Sequence, residues 1–302
     1  MIVELLKEFP QYTSHIANSL TIKKLLASVE SENLNNLYWY DLPLKHAVSW
    51  LGLFHILKRN FGQKLVGRFD DDEIAGNYGL KTIYFAEPQG DGVNAPNPAV
   101  WHCKSLKSRP WFDDLDEIKL TLERKADIII SEYSQIEKYM RTHPDNTSLM
   151  ESGKWNGLFL FSTQGKKNNE IARLCPETVR IVESLPLCLN YGFVLFSGLT
   201  PGSHILPHSG SSNFRLRYHL GVQVPEPESA KIRVGREWRS WKQGKAMSFD
   251  DSYEHEVFHK GEKTRVALVI DVWHPSLTPK DIEILSHPVF RTFGKYKKKN
   301  DY

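Results

Sequence analysis

From residue 155 to residue 273 the chain breaks into short apolar or alternating runs, each closed by a turn rich in glycine, proline or charge. The runs are 158–161, 193–199, 215–224, 231–234, 237–241, 245–249, 255–259 and 265–273. Turn signals fall at 165–170 (GKKNNE), Gly202, Pro225 to Pro227, Gly235, Gly244 and Gly261. Side chains on a strand point alternately to opposite faces, so strands this dense bury their apolar halves by stacking or curling sheets. The pattern predicts a β-sandwich or jelly roll, with one short helix at 176–184.

The first part of the chain has a different period. Leu5, Leu6 and Phe9, then Ile22, Leu25 and Leu26, recur at helical spacing, and 46–59 (HAVSWLGLFHILKR) reads as a buried helix. His46 and His55 in that helix are read as packing or surface residues. The stretch 85–100, dense in Gly, Pro and Asn, reads as a boundary or a substrate-facing lid. In 108–139, Leu115, Ile118, Leu122, Ala126, Ile129 and Ile130 predict one long amphipathic helix packed on the sheets. The expected fold is therefore mainly β with flanking helices, a helical N-terminal region over 1–100 preceding a β domain over 101–302.

Charge and cysteine usage narrow the function classes. A net charge of +3 over 302 residues does not call for a nucleic-acid partner, and the basic run Lys295, Lys297, Lys298 and Lys299 reads as a solvated end. Cys103, Cys175 and Cys188 lack paired metal spacing and fit a reducing compartment. No apolar run approaches the roughly 20 residues of a membrane span, and no signal-peptide pattern opens the chain. The expectation is a soluble cytoplasmic protein.

The chemistry concentrates between His208 and His255 and the arginines nine and ten residues beyond each, Arg217 and Arg265. Neutral imidazole is the usual ligand for iron, zinc or copper. Strand alternation turns Glu254 and Glu256 away from His255, so they serve poorly as co-ligands. In a 2-His-1-carboxylate site an acid stands two residues after the first histidine; here that residue is Gly210. Asp250 and Asp251 are the nearest spare carboxylates, read as supporting or turn residues. Arg217 and His219 share one face of their strand, and a guanidinium suits forked recognition of a carboxylate. Lys166, Lys167 and Arg173 read as a solvated turn, with a substrate carboxylate as the alternative partner.

These residues sit in PHSGSSNFRLRYHLG (207–221), W-x-x-G-K (241–245), FDDSYEHEV (249–257) and DVWHPSLTP (271–279). Order, spacing and residue type together resemble the aspartyl/asparaginyl β-hydroxylase family of Fe(II)- and 2-oxoglutarate-dependent oxygenases. The likeness runs from about residue 108 to 279; residues 1–85 contribute nothing to it. The resemblance implies a double-stranded β-helix, a cupin-like jelly roll. It puts His208 and His255 on the iron ligands, and Gly210 where the family itself carries glycine. Ser197, Arg217, His219 and Arg265 fall on residues that hold 2-oxoglutarate. The implied activity uses Fe(II), 2-oxoglutarate and O2 to hydroxylate the β-carbon of an aspartyl or asparaginyl residue in a peptide or protein. The alternative substrate is a free or carrier-bound amino acid or an acyl chain.

Overall fold

A computed structural model describes residues 90–98, 103, 106–114, 116–162 and 165–286. The helical reading of 1–60, with His46 and His55, and the basic run at 295–299 lie outside the described residues.

Two antiparallel sheets form the domain. β1 (Arg141–Thr142), β3 (Trp155–Phe161), β4 (Val194–Leu199), β11 (Arg265–Trp273), β6 (Arg215–Gln223) and β9 (Ala246–Phe249) make a six-stranded sheet in the order β1-β3-β4-β11-β6-β9. β2 (Met150–Ser152), β5 (Ser203–His208), β10 (His255–His259), β7 (Ala230–Val234) and β8 (Glu237–Ser240) make a five-stranded sheet, β2-β5-β10-β7-β8. Apart from the β7–β8 hairpin, most neighbours in each sheet come from distant parts of the sequence, and the result is a double-stranded β-helix jelly roll.

Alternation sorts the side chains. On β6, Leu216, Tyr218, Leu220 and Val222 join the core under the helices, while Arg215, Arg217 and His219 face the second sheet. That outer core receives α1 (Glu117–Arg124), α2 (Ala126–Ile136), α4 (Asn169–Leu174) and α5 (Pro176–Glu183), through Leu122, Ile129, Tyr133, Ile136, Ile171, Val179 and Val182. A second core lies between the sheets: Leu199, Ile205, Ile232, Val234, Trp241, Phe249, Val257 and Ala267. Two short helices, α3 (Asn146–Leu149) and α6 (Pro279–Leu285), lie before β2 and after β11.

Two expectations change. The single helix expected over the run 115–139 is two helices that meet at Lys125, whose φ of −106° and ψ of 8° leave the helical region. The break lets Glu123 accept from the Ala246 backbone N–H (3.0 Å) and the Lys245 ammonium (2.9 Å), pinning α1 to β9, while Tyr133 of α2 packs on Phe196 of β4. Strand β5, absent from the sequence reading, contains Pro207. Proline costs a ladder hydrogen bond, but β2 pairs only as far as Ile205 and the β5–β10 register shifts between Val257 and His255. Pro207 therefore sits where no partner needs its N–H.

Phe196 is fully buried between Tyr133 and the sheet. Phe196→Ala should cost about 3–5 kcal/mol of stability, read by urea unfolding. A loss under about 1 kcal/mol would show that α2 is not part of the cooperative core.

Candidate active site

His208 ends β5 and His255 begins β10, and the two pair directly across the five-stranded sheet. Their ring centroids are 4.2 Å apart. The Nδ1–H of His208 donates to the Leu206 carbonyl (2.8 Å), and that of His255 to the Tyr253 carbonyl (2.9 Å). Each ring is thereby held as the tautomer whose Nε2 carries a lone pair, which is what a metal ligand needs. Burial pushes both pKa values down, His255 well below its ordinary value, with each ring's charged neighbours adding to or opposing that effect. Both rings stay neutral at neutral pH. Among the described residues no third His, Cys, Asp or Glu completes a metal-binding group.

Gly210 explains the missing acid. A Cβ at this position would stand 2.4 Å from Asp251 Oδ2, and the Gly210 N–H already donates to the Asp251 carbonyl (2.6 Å). The Asp251 side chain fills the space that a residue 210 carboxylate would need. Gly210→Asp should therefore lower the melting temperature without tightening Fe(II) binding, compared by thermal unfolding with and without metal. A variant with unchanged stability and stronger metal binding would show that the space is open.

His219 adopts the opposite tautomer. Trp241 Nε1–H donates to His219 Nδ1 (3.2 Å), so the His219 proton sits on Nε2 and that atom is a donor. Burial, with Arg217 and Arg265 adding repulsion, drives its pKa well below the ordinary value, so it stays neutral. Trp241 also carries Arg265, whose guanidinium carbon lies 4.1 Å from the indole centroid. Arg265 donates to the Ser197 backbone carbonyl (3.2 Å), its Nε has no hydrogen-bond partner, and it is 2% exposed. No acid sits beside it among the described residues, and burial alone pushes its pKa down to about 9. The Ser197 hydroxyl accepts from Trp155 Nε1 (2.9 Å), leaving its own proton to donate. Arg265, His219 and Ser197 thus form a buried group with donors left over: the Arg265 Nε, the His219 Nε2–H and the Ser197 hydroxyl have no acceptor among the described residues.

Arg217 belongs to a different group. It pairs on β6 with Asp271 of β11, six residues from Arg265, or about 20 Å at ~3.3 Å per residue. Its Nε and Nη2 donate to the two Asp271 oxygens (2.8 and 2.9 Å), and its Nη1 lies 3.1 Å from Asp251 Oδ2. Arg215 reaches the same two acids, Asp251 at 2.6 Å and Asp271 at 2.8 Å. Although burial works against the charge on Arg217, Asp251 and Asp271 hold its pKa above the ordinary value. The structure brings His208 with His255, and Ser197, His219 and Arg265 with one another, but sets Arg217 apart from Arg265. Trp155, Trp241, Arg215 and Asp271 had no role in the sequence reading. Each lay within or next to a motif, and only the fold shows what they touch.

The outer residues settle as alternation requires. Glu256 and Glu254 turn away from the histidine pair to Arg233, the latter at 2.7 Å. Lys167 is paired with Glu183 of α5 (2.7 Å). The described part of the 85–100 loop lies along the turn before His255: Gly92 accepts from the Glu254 N–H (2.8 Å) and Asn97 donates to the Ser252 carbonyl (2.9 Å). No helix among the described residues is long and apolar enough to cross a membrane.

The family model for aspartyl/asparaginyl beta-hydroxylase matches residues 123–275, which span every strand of the site. The chain belongs to this family. The aspartyl/asparaginyl beta-hydroxylase of Mus musculus is 35% identical over 190 residues, 60% of this chain but 25% of that protein. The chain thus spans a quarter of that relative's length. The ornithine lipid ester-linked acyl 2-hydroxylase of Rhizobium tropici is 30% identical over 224 residues, covering 74% of this chain and 77% of the relative. A solved prolyl-4-hydroxylase of Pseudomonas putida superposes with a TM-score of 0.33 at 10% identity, over 55% of this chain and 93% of its own. That likeness is too distant to carry an argument. Relatives in the family are named as hydroxylases, and this chain is a member of that family with a jelly-roll fold.

Proposed function

We propose that the chain is an Fe(II)- and 2-oxoglutarate-dependent dioxygenase. His208 and His255 would hold iron, and Arg265, His219 and Ser197 would hold the far carboxylate of 2-oxoglutarate. The observation that carries the reading is the opposed tautomers. The two paired histidines present lone pairs, whereas His219 presents an N–H beside a buried guanidinium that has no acid partner among the described residues. A buried unpaired cation is costly, and a bound carboxylate relieves that cost.

Bound iron(II) supplies the dioxygen activation that hydroxylation of a C–H bond requires. The chain's own residues orient and exclude. Trp241 fixes the His219 tautomer and carries the Arg265 plane; Trp155 aims the Ser197 hydroxyl; the Leu206 and Tyr253 carbonyls aim the ligating nitrogens. In the net reaction one oxygen atom enters the substrate C–H bond and the other enters succinate, as 2-oxoglutarate loses CO2. Arg217, which the sequence grouped with the cosubstrate, is proposed instead to hold Asp251 and Asp271 in place beside the histidines.

For the substrate, family membership favours an aspartyl or asparaginyl residue. A second reading, an acyl chain, draws on the name of the Rhizobium relative that matches three quarters of both chains. The test is mass spectrometry of candidate peptides and acyl compounds incubated with Fe(II), ascorbate and 2-oxoglutarate. Addition of one oxygen atom, with fragmentation placing it, names the substrate. Absence of succinate under every condition would sink the oxygenase reading.

A further inference from the structure

The turn that carries His255 is held by residues outside the family match. That match begins at residue 123, whereas two earlier segments, 90–98 and 110–112, lie along 248–254. The Phe112 N–H donates to the Ser248 carbonyl (3.0 Å), and the Ser248 hydroxyl donates to the Phe112 carbonyl (3.0 Å). Trp111 forms an antiparallel bridge with Phe249, and the Asp250 N–H donates to the Pro110 carbonyl (3.1 Å). Where β9 ends, 90–98 takes over, with Asn97 at Ser252 and Gly92 at Glu254.

One peptide plane decides what this does. A trans peptide unit is rigid, and its C=O and N–H point in opposite directions. The unit joining Tyr253 to Glu254 accepts the His255 Nδ1–H on its carbonyl (2.9 Å) and donates its N–H to the Gly92 carbonyl (2.8 Å). The unit before it is also held at both ends. The Ser252 carbonyl accepts from Asn97 (2.9 Å), and the Tyr253 N–H donates to the Asp250 carbonyl (3.2 Å). Without Gly92 and Asn97 the Tyr253 carbonyl is free to turn away, and the His255 ring loses the bond that leaves its lone pair on Nε2.

The segment is shaped to sit this close. Gly92 is buried at φ +80°, and a Cβ there would stand 3.1 Å from the Glu254 Cβ. On the other side, a Cβ at Gly235 would stand 2.9 Å from the Val93 carbonyl oxygen. Asp91 closes the turn around Gly92, its Oδ1 accepting from the N–H groups of Val93 (2.9 Å) and Asn94 (2.6 Å). The Gly235 N–H in turn donates to the Glu254 carbonyl (2.9 Å), so the segment is wedged against two turns that are bonded to each other.

We propose that residues 91–97 are a positioning strap for the metal site: they hold the Tyr253–Glu254 peptide and through it fix the tautomer and direction of the His255 ring. The consequence for iron rests on the proposed reading of His255 as a ligand; the tautomer itself needs no metal.

The test is NMR of the histidine ring nitrogens in the metal-free full chain, with the rings assigned by the signals lost in His255→Gln and His219→Gln. Wild type should show His255 as the Nδ1–H tautomer and His219 as the Nε2–H tautomer. Asn97→Pro removes the N–H that Ser252 accepts, and Gly92→Val drives a branched side chain toward Glu254 from a positive φ. Each should turn His255 into a tautomer mixture and leave His219 unchanged. Asn97→Ala keeps the N–H and should match wild type. Anaerobic Fe(II) titration should show affinity lowered about 10- to 100-fold in Asn97→Pro and Gly92→Val. Melting curves check that both fold, and Asp91→Ala, which only loosens the turn, supplies a milder variant with the same expected direction. A pure Nδ1–H His255 in the folded variants overturns the strap, as does equal disturbance of His255 and His219. A wild type that holds the tautomer yet binds no Fe(II) removes the metal reading and leaves the strap standing.

Discussion

His255→Ala should abolish iron binding and 2-oxoglutarate turnover together. The proposed site has two protein ligands, so losing one leaves a single imidazole. Metal affinity should fall at least about a hundredfold, since even partners one step removed from a metal are worth 10- to 100-fold. Fold loss is not the cause expected. His255 lies at the start of β10, and the register from Val257 to His259 on both neighbours does not depend on its ring. Anaerobic titration with Fe(II), alongside succinate release and a melting curve, gives the answer. A folded variant with full turnover would remove the metal assignment and with it the proposed function.

Arg265→Ala should leave metal binding close to wild type and greatly weaken 2-oxoglutarate. Truncating one member of a buried hydrogen-bonded charge pair costs about 2–5 kcal/mol, or roughly 30- to 5000-fold in affinity. Arg265→Lys should rescue only part, because an ammonium cannot lie flat on Trp241 and donate in a fork at the same time. A second readout is thermal. 2-Oxoglutarate should raise the melting temperature of the metal-loaded wild type and fail to do so in the variant at the same concentration. An unchanged dependence on 2-oxoglutarate would show that the dicarboxylate is held elsewhere.

Both predictions depend on features that were unequally visible in the sequence. The strands 255–259 and 265–273 were read with the boundaries they have, because their apolar period is regular and their turns carry glycine or charge. The separation of Leu216, Tyr218 and Leu220 from Arg217 and His219 followed from the two-residue period. β5 was not readable, since Pro207 argues against a strand unless its neighbours are known to leave its N–H unneeded. The helix break at Lys125 had no local signal: no glycine or proline marks it, and Glu123 is drawn to β9, more than 120 residues away.

The sequence by itself determined the family and the jelly-roll class, and it singled out the two histidines that the fold pairs and the arginine that opens β11. These rest on local period and on short motifs, both properties of neighbouring residues. Tertiary structure alone decided the rest. It chose which nitrogen of each histidine carries the proton, through Leu206, Tyr253 and Trp241. It gave Arg217 its two acids and left Arg265 with none among the described residues. It closed position 210 with the Asp251 carboxylate. The His219 proton is set by Trp241, 22 positions away. The charge partners of Arg217 and the space at Gly210 are set by residues 34 to 54 positions away, which only the fold brings within reach. The carbonyls that fix His208 and His255 lie two residues off but need the strand ends in place.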